Sequence, residues 1–384
     1  MSRLRMAVIG AGHLGRIHAR LLRGRDDVEL IAVVDPVAAA RDAVAAEFQT
    51  ASVADYRSLD GRIDAAVVAT PTQFHHEVAR DLLQRGIHAL VEKPITTTVA
   101  EAESLIVAAA RGGLVLQVGH VERFNPALRA VRPRLGTPRY IEGARTSGYS
   151  FRSTDIGVVL DLMIHDLDIV LSLTGEPVVD VAAVGVTVVG PCEDVAQARL
   201  ETAGGCVINL SASRTSLQAQ RSMQIYSDGA IGSIDMAAGV AKVLTPCQRL
   251  ACGEFHVNDM PAAEKAALKD RFFQEVLPVE ELVVEKRNAI QDEHSDFVES
   301  ILTGKRPLVT GEDGRNALAV ATEIVAKLSS TTRSFAAPSR PAASPFHAAH
   351  TVRGPHFALP VKSPSPATKP PTNKADSNER RKAG

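Results

Sequence analysis

The stretch from Arg5 to Asp35 limits what this chain can fold into more than any other. A short apolar run, Met6 to Ile9, leads straight into Gly10-Ala11-Gly12-His13-Leu14-Gly15, then a helical run to about Arg23. A second apolar run, Val28 to Val34, stops at Asp35. Unbroken apolar runs of this kind suit strands buried on both faces. Gly10 permits a tight turn out of the first strand. Gly12 lets a pyrophosphate approach the backbone at a helix N-terminus, and Gly15 lets that helix lie close to the sheet. Asp35 lies 20 residues beyond Gly15, where a carboxylate can accept both ribose hydroxyls of an adenosine. Strand, glycines, helix, strand and acid in that order predict a dinucleotide site. A carboxylate at 35 repels a 2′-phosphate, which favours NAD over NADP, with Arg41 the nearest arginine after it.

The pattern repeats as far as residue 120. An alanine-rich helix over 37–48, a short strand at Thr50 to Val53, a buried strand at Asp64 to Ala69, a helix from Gln73 to Arg85 and a strand at Ile87 to Val91 follow in turn. A helix over 97–111 and a strand at Leu114 to Val118 complete the unit. Alternation at this spacing predicts a Rossmann-type, doubly wound parallel sheet, with ligands at the carboxyl ends of its strands. Thr70, Pro71, Glu92, Lys93 and His120 fall at those ends. Thr70, Pro71, Glu92 and Lys93 therefore join Gly10, Gly12, His13, Leu14, Gly15 and Asp35 as expected cofactor contacts. His75 and His76 are adjacent on a helix and so point apart, which suits a cofactor-side or surface role better than a metal.

Beyond residue 120 the strands lose their intervening helices. Arg139 to Tyr149, Val178 to Val189, Gln197 to Ser211, Met223 to Tyr226 and Ile231 to Met236 read as an open, mostly antiparallel sheet. One helix interrupts it, from about Ile156 to Leu173, with Asp155 as N-cap and Gly175 as its stop. Asp161, His165 and Asp168 stand at i, i+4 and i+7, so a regular helix places them on one face. On a mostly apolar helix such groups are paired, face a cleft, or form a solvated stripe. Helices over 287–303 and 313–328 close the folded part. The division expected is 1–120 for the cofactor, 121–333 for substrate and assembly, and 334–384 as a tail.

Composition is needed for that tail. Residues 334–384 hold nine of the 21 prolines, and from 331 onward nine basic residues stand against two acidic ones. So little apolar surface cannot offset ordering entropy, and disorder is expected. Its charges are not interleaved with aromatic residues, so no nucleic-acid partner is expected. None of the four cysteines sits in a Cys-x-x-Cys pair or near a His at zinc spacing, so no metal is expected and the thiols read as reduced. The absence of a long apolar run predicts no membrane span and a cytoplasmic protein.

Three motifs in this order, Gly10-Ala11-Gly12-His13-Leu14-Gly15, Glu92-Lys93-Pro94 and Asp161-x-x-x-His165-x-x-Asp168, resemble the Gfo/Idh/MocA family of NAD(P)-dependent oxidoreductases over about residues 4–330. The resemblance implies an N-terminal Rossmann domain and a C-terminal α/β domain whose open sheet serves assembly as a homodimer or homotetramer. It places Lys93 beside the nicotinamide and the reacting hydroxyl, with His165 as general acid/base and Asp161 close by. Met163 stands where the family commonly has Gly, which bears on the substrate subfamily. Val118 to Ala127 and Leu160 to Asp168 are further similar to the branch that oxidises C3 of UDP-N-acetylglucosamine ahead of an aminotransferase, for the 3-amino sugar of some lipid A. On that reading His120, Arg123, Asn125, Tyr149, Arg152 and Asp168 line the sugar site, with Arg123 on the diphosphate. A cyclitol or free-sugar dehydrogenase, and a non-catalytic dinucleotide-binding regulator, are the alternatives.

Overall fold

The protein is described here from a computed structural model covering residues 3–151, 156–189, 191–329 and 333–334. Arg152, the expected cap Asp155 and nearly all of the expected tail lie outside the described residues. The first sheet contains β1 (Leu4–Ile9), β2 (Val28–Val34), β3 (Ala51–Val53), β4 (Ala65–Val68), β5 (His88–Glu92) and β6 (Leu116–Gly119). Its order is β3-β2-β1-β4-β5-β6, and every pair is parallel. Four helices alternate with these strands: α1 (His13–Arg23), α2 (Ala38–Phe48), α3 (His75–Gln84) and α4 (Val99–Gly112). The order reverses between β1 and β4, which opens a crevice at their carboxyl ends. The central strands are apolar because helices cover both faces: Met6, Ala7, Val8, Ala65, Ala66, Val67 and Val68 are all fully buried.

The second sheet contains β7 (Pro138–Thr146), β8 (Val178–Thr187), β9 (Val195–Thr202), β10 (Val207–Ser213), β11 (Gln220–Ser227), β12 (Ala230–Asp235), β13 (Val240–Leu244), β14 (Val279–Glu281) and β15 (Arg333–Ser334). Its order is β14-β13-β12-β11-β7-β10-β9-β8-β15. All pairs are antiparallel except β7 with β10 and β8 with β15. The β7–β10 pair is parallel because the chain leaves β7, forms a helix and two strands, and re-enters beside it. Burial alternates along β9, with Ala196, Ala198, Leu200 and Thr202 inward and Gln197, Arg199 and Glu201 outward, so one face of this sheet is covered and the other open.

The covered face meets α6 (Ile164–Thr174), which follows the short α5 (Pro126–Val131) in the chain. The expected continuous helix from Ile156 is not regular: Val159–Met163 form a widened π-type turn that runs into α6. Gly175 ends α6 in the left-handed region, as its sequence position predicts. Between β13 and β14 lie α7 (Gln248–Ala251) and α8 (Ala262–Arg271), two helices with no buried residue in an arm that the sequence reading missed. α9 (Ala289–Thr303) and α10 (Gly311–Ser329) complete the described fold. α9 packs on α1, and α10 packs on both α4 and α6, so the two sheets share one set of covering helices.

Candidate active site

At the carboxyl end of β1 the backbone does the shaping. Gly10 has φ +105°, and a Cβ there would sit 2.4 Å from the Ala69 carbonyl oxygen. A Cβ on Gly15 would meet the Gly10 oxygen at 1.8 Å, so α1 lies against the turn only because Gly15 has no side chain. Gly12, in contrast, faces open space, with His13 exposed and Leu14 half-buried after it. The Asp35 carboxylate is fixed on both oxygens, accepting from the Ala11 N–H and the Val37 N–H at 2.9 Å each. Arg41 donates to the main-chain oxygens of Asp35 and Pro36 at 3.3 and 3.1 Å, not to the carboxylate. An open helix N-terminus, a bare glycine and an anchored acid fit the pyrophosphate and ribose of NAD.

Two neighbouring strand ends are tied by one ring. His75 is buried, with Nε2 2.8 Å from the Thr70 carbonyl oxygen and Nδ1 2.8 Å from that of Pro94. It joins the loops after β4 and β5, so it lies behind the crevice and not on the surface. Burial lowers its pKa against the pull of those two carbonyls. The Thr70 hydroxyl is buried without a partner among the described residues, and Pro71 begins the next turn. Beyond β5, the Lys93 ammonium donates to the main-chain oxygen of Asp161 at 2.6 Å and to its Oδ1 at 3.3 Å. Glu92, expected among the cofactor contacts, turns inward: one oxygen lies 2.8 Å from His18 Nε2 and the other accepts from the Lys93 N–H at 3.2 Å.

His165 is half-buried on α6, and its Nδ1 has no partner among the described residues. Burial first, then the charges of Lys93 and Arg145, hold its pKa well below the usual histidine value, so the ring is neutral. His120 is buried edge-on to it, ring centroids 6.3 Å apart, with neither ring nitrogen partnered among the described residues. Burial, Lys93 and Arg123 bring His120 down to about 3.

Three expected sugar contacts are engaged by partners within the protein. Arg123 is 7% exposed, donating to Asp168 Oδ1 at 3.3 Å and to the Leu308 carbonyl at 3.0 Å. Asp168 is its buried partner, and burial pushes that carboxyl up to about 7 against the pull of Arg123. Asp161 stands in the π-type turn, while His165 and Asp168 stand on the regular helix that follows it. Asn125 caps α5, its Oδ1 accepting from the Ala127 N–H at 3.0 Å, while its amide donates to Glu122 and to the Met236 carbonyl. Tyr149 is half-buried, 5.5 Å from the Arg214 guanidinium.

Sequence reasoning also missed Arg145. It grips Asp166 through two bonds at 3.0 and 2.8 Å and Glu122 through a third at 2.8 Å, all out of water. Asp166 was visible as an acid on the apolar helix, but its partner lies on another strand.

A parallel sheet of this order with a bare glycine turn and an anchored acid defines the class of dinucleotide-binding proteins. Comparison narrows the class. Residues 4–120 match the profile described as "Oxidoreductase family, NAD-binding Rossmann fold", and residues 127–234 match "GFO/IDH/MocA C-terminal domain". The chain is 35% identical over 325 residues to UDP-N-acetylglucosamine 3-dehydrogenase of Acidithiobacillus ferrooxidans, covering 84% of this chain and 97% of that one. A solved structure of that enzyme superposes with a TM-score of 0.74 at 34% identity, over 85% of this chain and 98% of the other. The scyllo-inositol 2-dehydrogenase (NAD(+)) of Bacillus subtilis is 32% identical over 232 residues, 56% of this chain and 68% of its own length. The chain belongs to the Gfo/Idh/MocA family of NAD-binding oxidoreductases and is a dehydrogenase. Among the described residues, no helix is long and apolar enough to cross a membrane, and no cluster of ligands could hold a metal.

Proposed function

We propose that the protein oxidises the C3 hydroxyl of UDP-N-acetylglucosamine to a ketone with NAD. The observation that carries the chemistry is the meeting of Lys93 with Asp161, one turn before the neutral, half-buried His165. The choice of sugar is supported by near full-length similarity to an enzyme of that name. Bound NAD supplies the hydride acceptor. Nδ1 of His165 is buried, so Nε2 is the nitrogen that takes the hydroxyl proton. The Lys93 cation stabilises the developing alkoxide, and Asp161 holds that cation in place. Asp35 orients the ribose, and the backbone around Gly12 takes the pyrophosphate.

We further place the change of role along the chain at 120/121 and the start of the tail at 334. The family supports a cytoplasmic homo-oligomer, and a 3-keto sugar is a fit substrate for an aminotransferase. The test is NAD reduction across UDP-sugars, inositols and free hexoses. UDP-N-acetylglucosamine should be turned over fastest. Preferential turnover of an inositol would move the chain to the cyclitol branch, and turnover of none would favour a binding protein.

A further inference from the structure

Four ionisable side chains are buried behind Lys93 and take no part in the chemistry above. His18 on α1 is fully buried, with Nε2 2.8 Å from Glu92 Oε1 and Nδ1 2.8 Å from Nε2 of His294 on α9. The neighbouring Glu293 is 1% exposed, with neither carboxylate oxygen partnered among the described residues. Burying such groups costs stability, and apolar side chains of equal volume fill such a space at least as well. Their presence calls for a reason other than packing.

The geometry around Glu92 supplies one. Its carboxylate is held from three directions. His18 fixes one oxygen, and the Lys93 N–H donates to the other at 3.2 Å. On the third side Gly119 of β6 packs so closely that a Cβ there would stand 3.0 Å from Oε2 and 3.1 Å from the Glu92 Cα. A carboxylate clamped in this way fixes the peptide that enters Lys93. The Lys93 side chain then starts from a set position and reaches Asp161 with its ammonium. His294 braces His18 from behind.

We infer that His18 is a positioning residue for Lys93, acting through the Glu92 carboxylate. It joins the helix that follows the glycine turn to the strand end that carries the reacting cation. The pair Glu92 and His18 is therefore a bracket for the chemical step, although neither side chain touches the substrate. The inference rests on Lys93 acting in the reaction as proposed above.

The test compares His18→Leu, His18→Gln, Gly119→Ala and Lys93→Ala in the full chain, reading turnover at saturating NAD and sugar, NADH affinity by fluorescence, and melting temperature. Leucine removes the donor to Glu92, while glutamine keeps an N–H near the place of Nε2. A misplaced catalytic group loses up to about 10²-fold in rate. His18→Leu should lower turnover by about 10-fold or more, on that scale, with NADH affinity changed only a few-fold. His18→Gln should recover most of the loss even if its melting temperature does not recover. Gly119→Ala presses on Glu92 from the opposite side without touching His18 and should also lower turnover, which keeps the test open if His18→Leu does not fold. The inference is overturned if His18→Leu and Gly119→Ala both turn over normally, or if glutamine is as impaired as leucine. It is overturned too if NADH affinity falls in step with turnover, because His18 would then act through the glycine turn. Dead Lys93→Ala beside normal His18→Leu removes this inference alone; active Lys93→Ala removes it together with the reading of the site.

Discussion

At the glycine turn, positions are set by side chains that are absent: Gly10 and Gly15 approach their neighbours to distances that a Cβ would forbid. Around α6, positions are set by charged side chains packed out of water. Arg145 holds Asp166 and Glu122, and Arg123 holds Asp168, with every partner in these pairs under a tenth exposed. The Lys93–Asp161 pair lies between these regimes, its side chains 13% and 24% exposed. The comparison teaches how one crevice serves two tasks. A cofactor's phosphates need close approach to a backbone, which glycine provides. A proton acceptor needs a tuned electrostatic setting, which fixed charges provide. Buried pairs keep the cations near His165 at constant distances, so its neutral state is built into the fold.

The largest effect should come from breaking the charged side. Arg145→Ala leaves the buried Asp166 without its paired cation and Glu122 with only the exposed Arg221, and loss of one partner from a buried pair costs about 3–5 kcal/mol. Thermal or urea unfolding reads the loss, and a change below about 1 kcal/mol, as for a surface pair, would show that this side is not held by charge. Next come the groups proposed to react. His165→Ala and Lys93→Ala should each lower turnover by at least about 10²-fold, as general acid–base loss does, while NADH affinity by fluorescence changes only a few-fold. Near-normal turnover of His165→Ala would make the α6 polar stripe structural.

On the glycine side, Asp35→Ser removes the acceptor for the Ala11 N–H and the repulsion of a 2′-phosphate. The Michaelis constant for NAD should rise and its advantage over NADP should narrow. Unchanged kinetics with both cofactors would sever Asp35 from cofactor choice. The smallest effect sharpens the electrostatic half. Arg221 is exposed, 3.6 Å from Glu122, and its charge helps hold His165 down. The base must be unprotonated to act, so a lowered pKa extends activity towards acid. Arg221→Ala relieves part of that effect, and the acid limb of the pH–rate profile should shift slightly to higher pH. A shift to lower pH would contradict the sign.

The same contrast decides what could be read from the sequence. Each requirement of the glycine turn is local: strand, turn, helix and acid follow within thirty-odd residues, and every strand of the first sheet appears within a few residues of its expected place. The charged side depends on partners distant along the chain. Arg123 meets Leu308 across 185 positions, so nothing near Arg123 marks it as buried. The i, i+4, i+7 spacing presupposes a regular helix, and the π-type turn over Val159–Met163 has no signature in apolar periodicity. Asn125 before Pro126 carries the mark of a helix cap, a local signal that the structure bears out. The arm with α7 and α8 was missed because neither helix buries a residue, so neither has a periodic pattern to find.

The nine-stranded sheet ends in two very short strands, Val279–Glu281 on one side and Arg333–Ser334 on the other. A sheet border is a row of unpaired amides and carbonyls that invites another chain to add to it, and brevity and charge are the common defences. Here both border strands are brief, and the first carries Glu280 and Glu281. Copies of this protein thus find little template for adding strand to strand. The broad open face of the sheet presents side chains, with no free row of amides to extend.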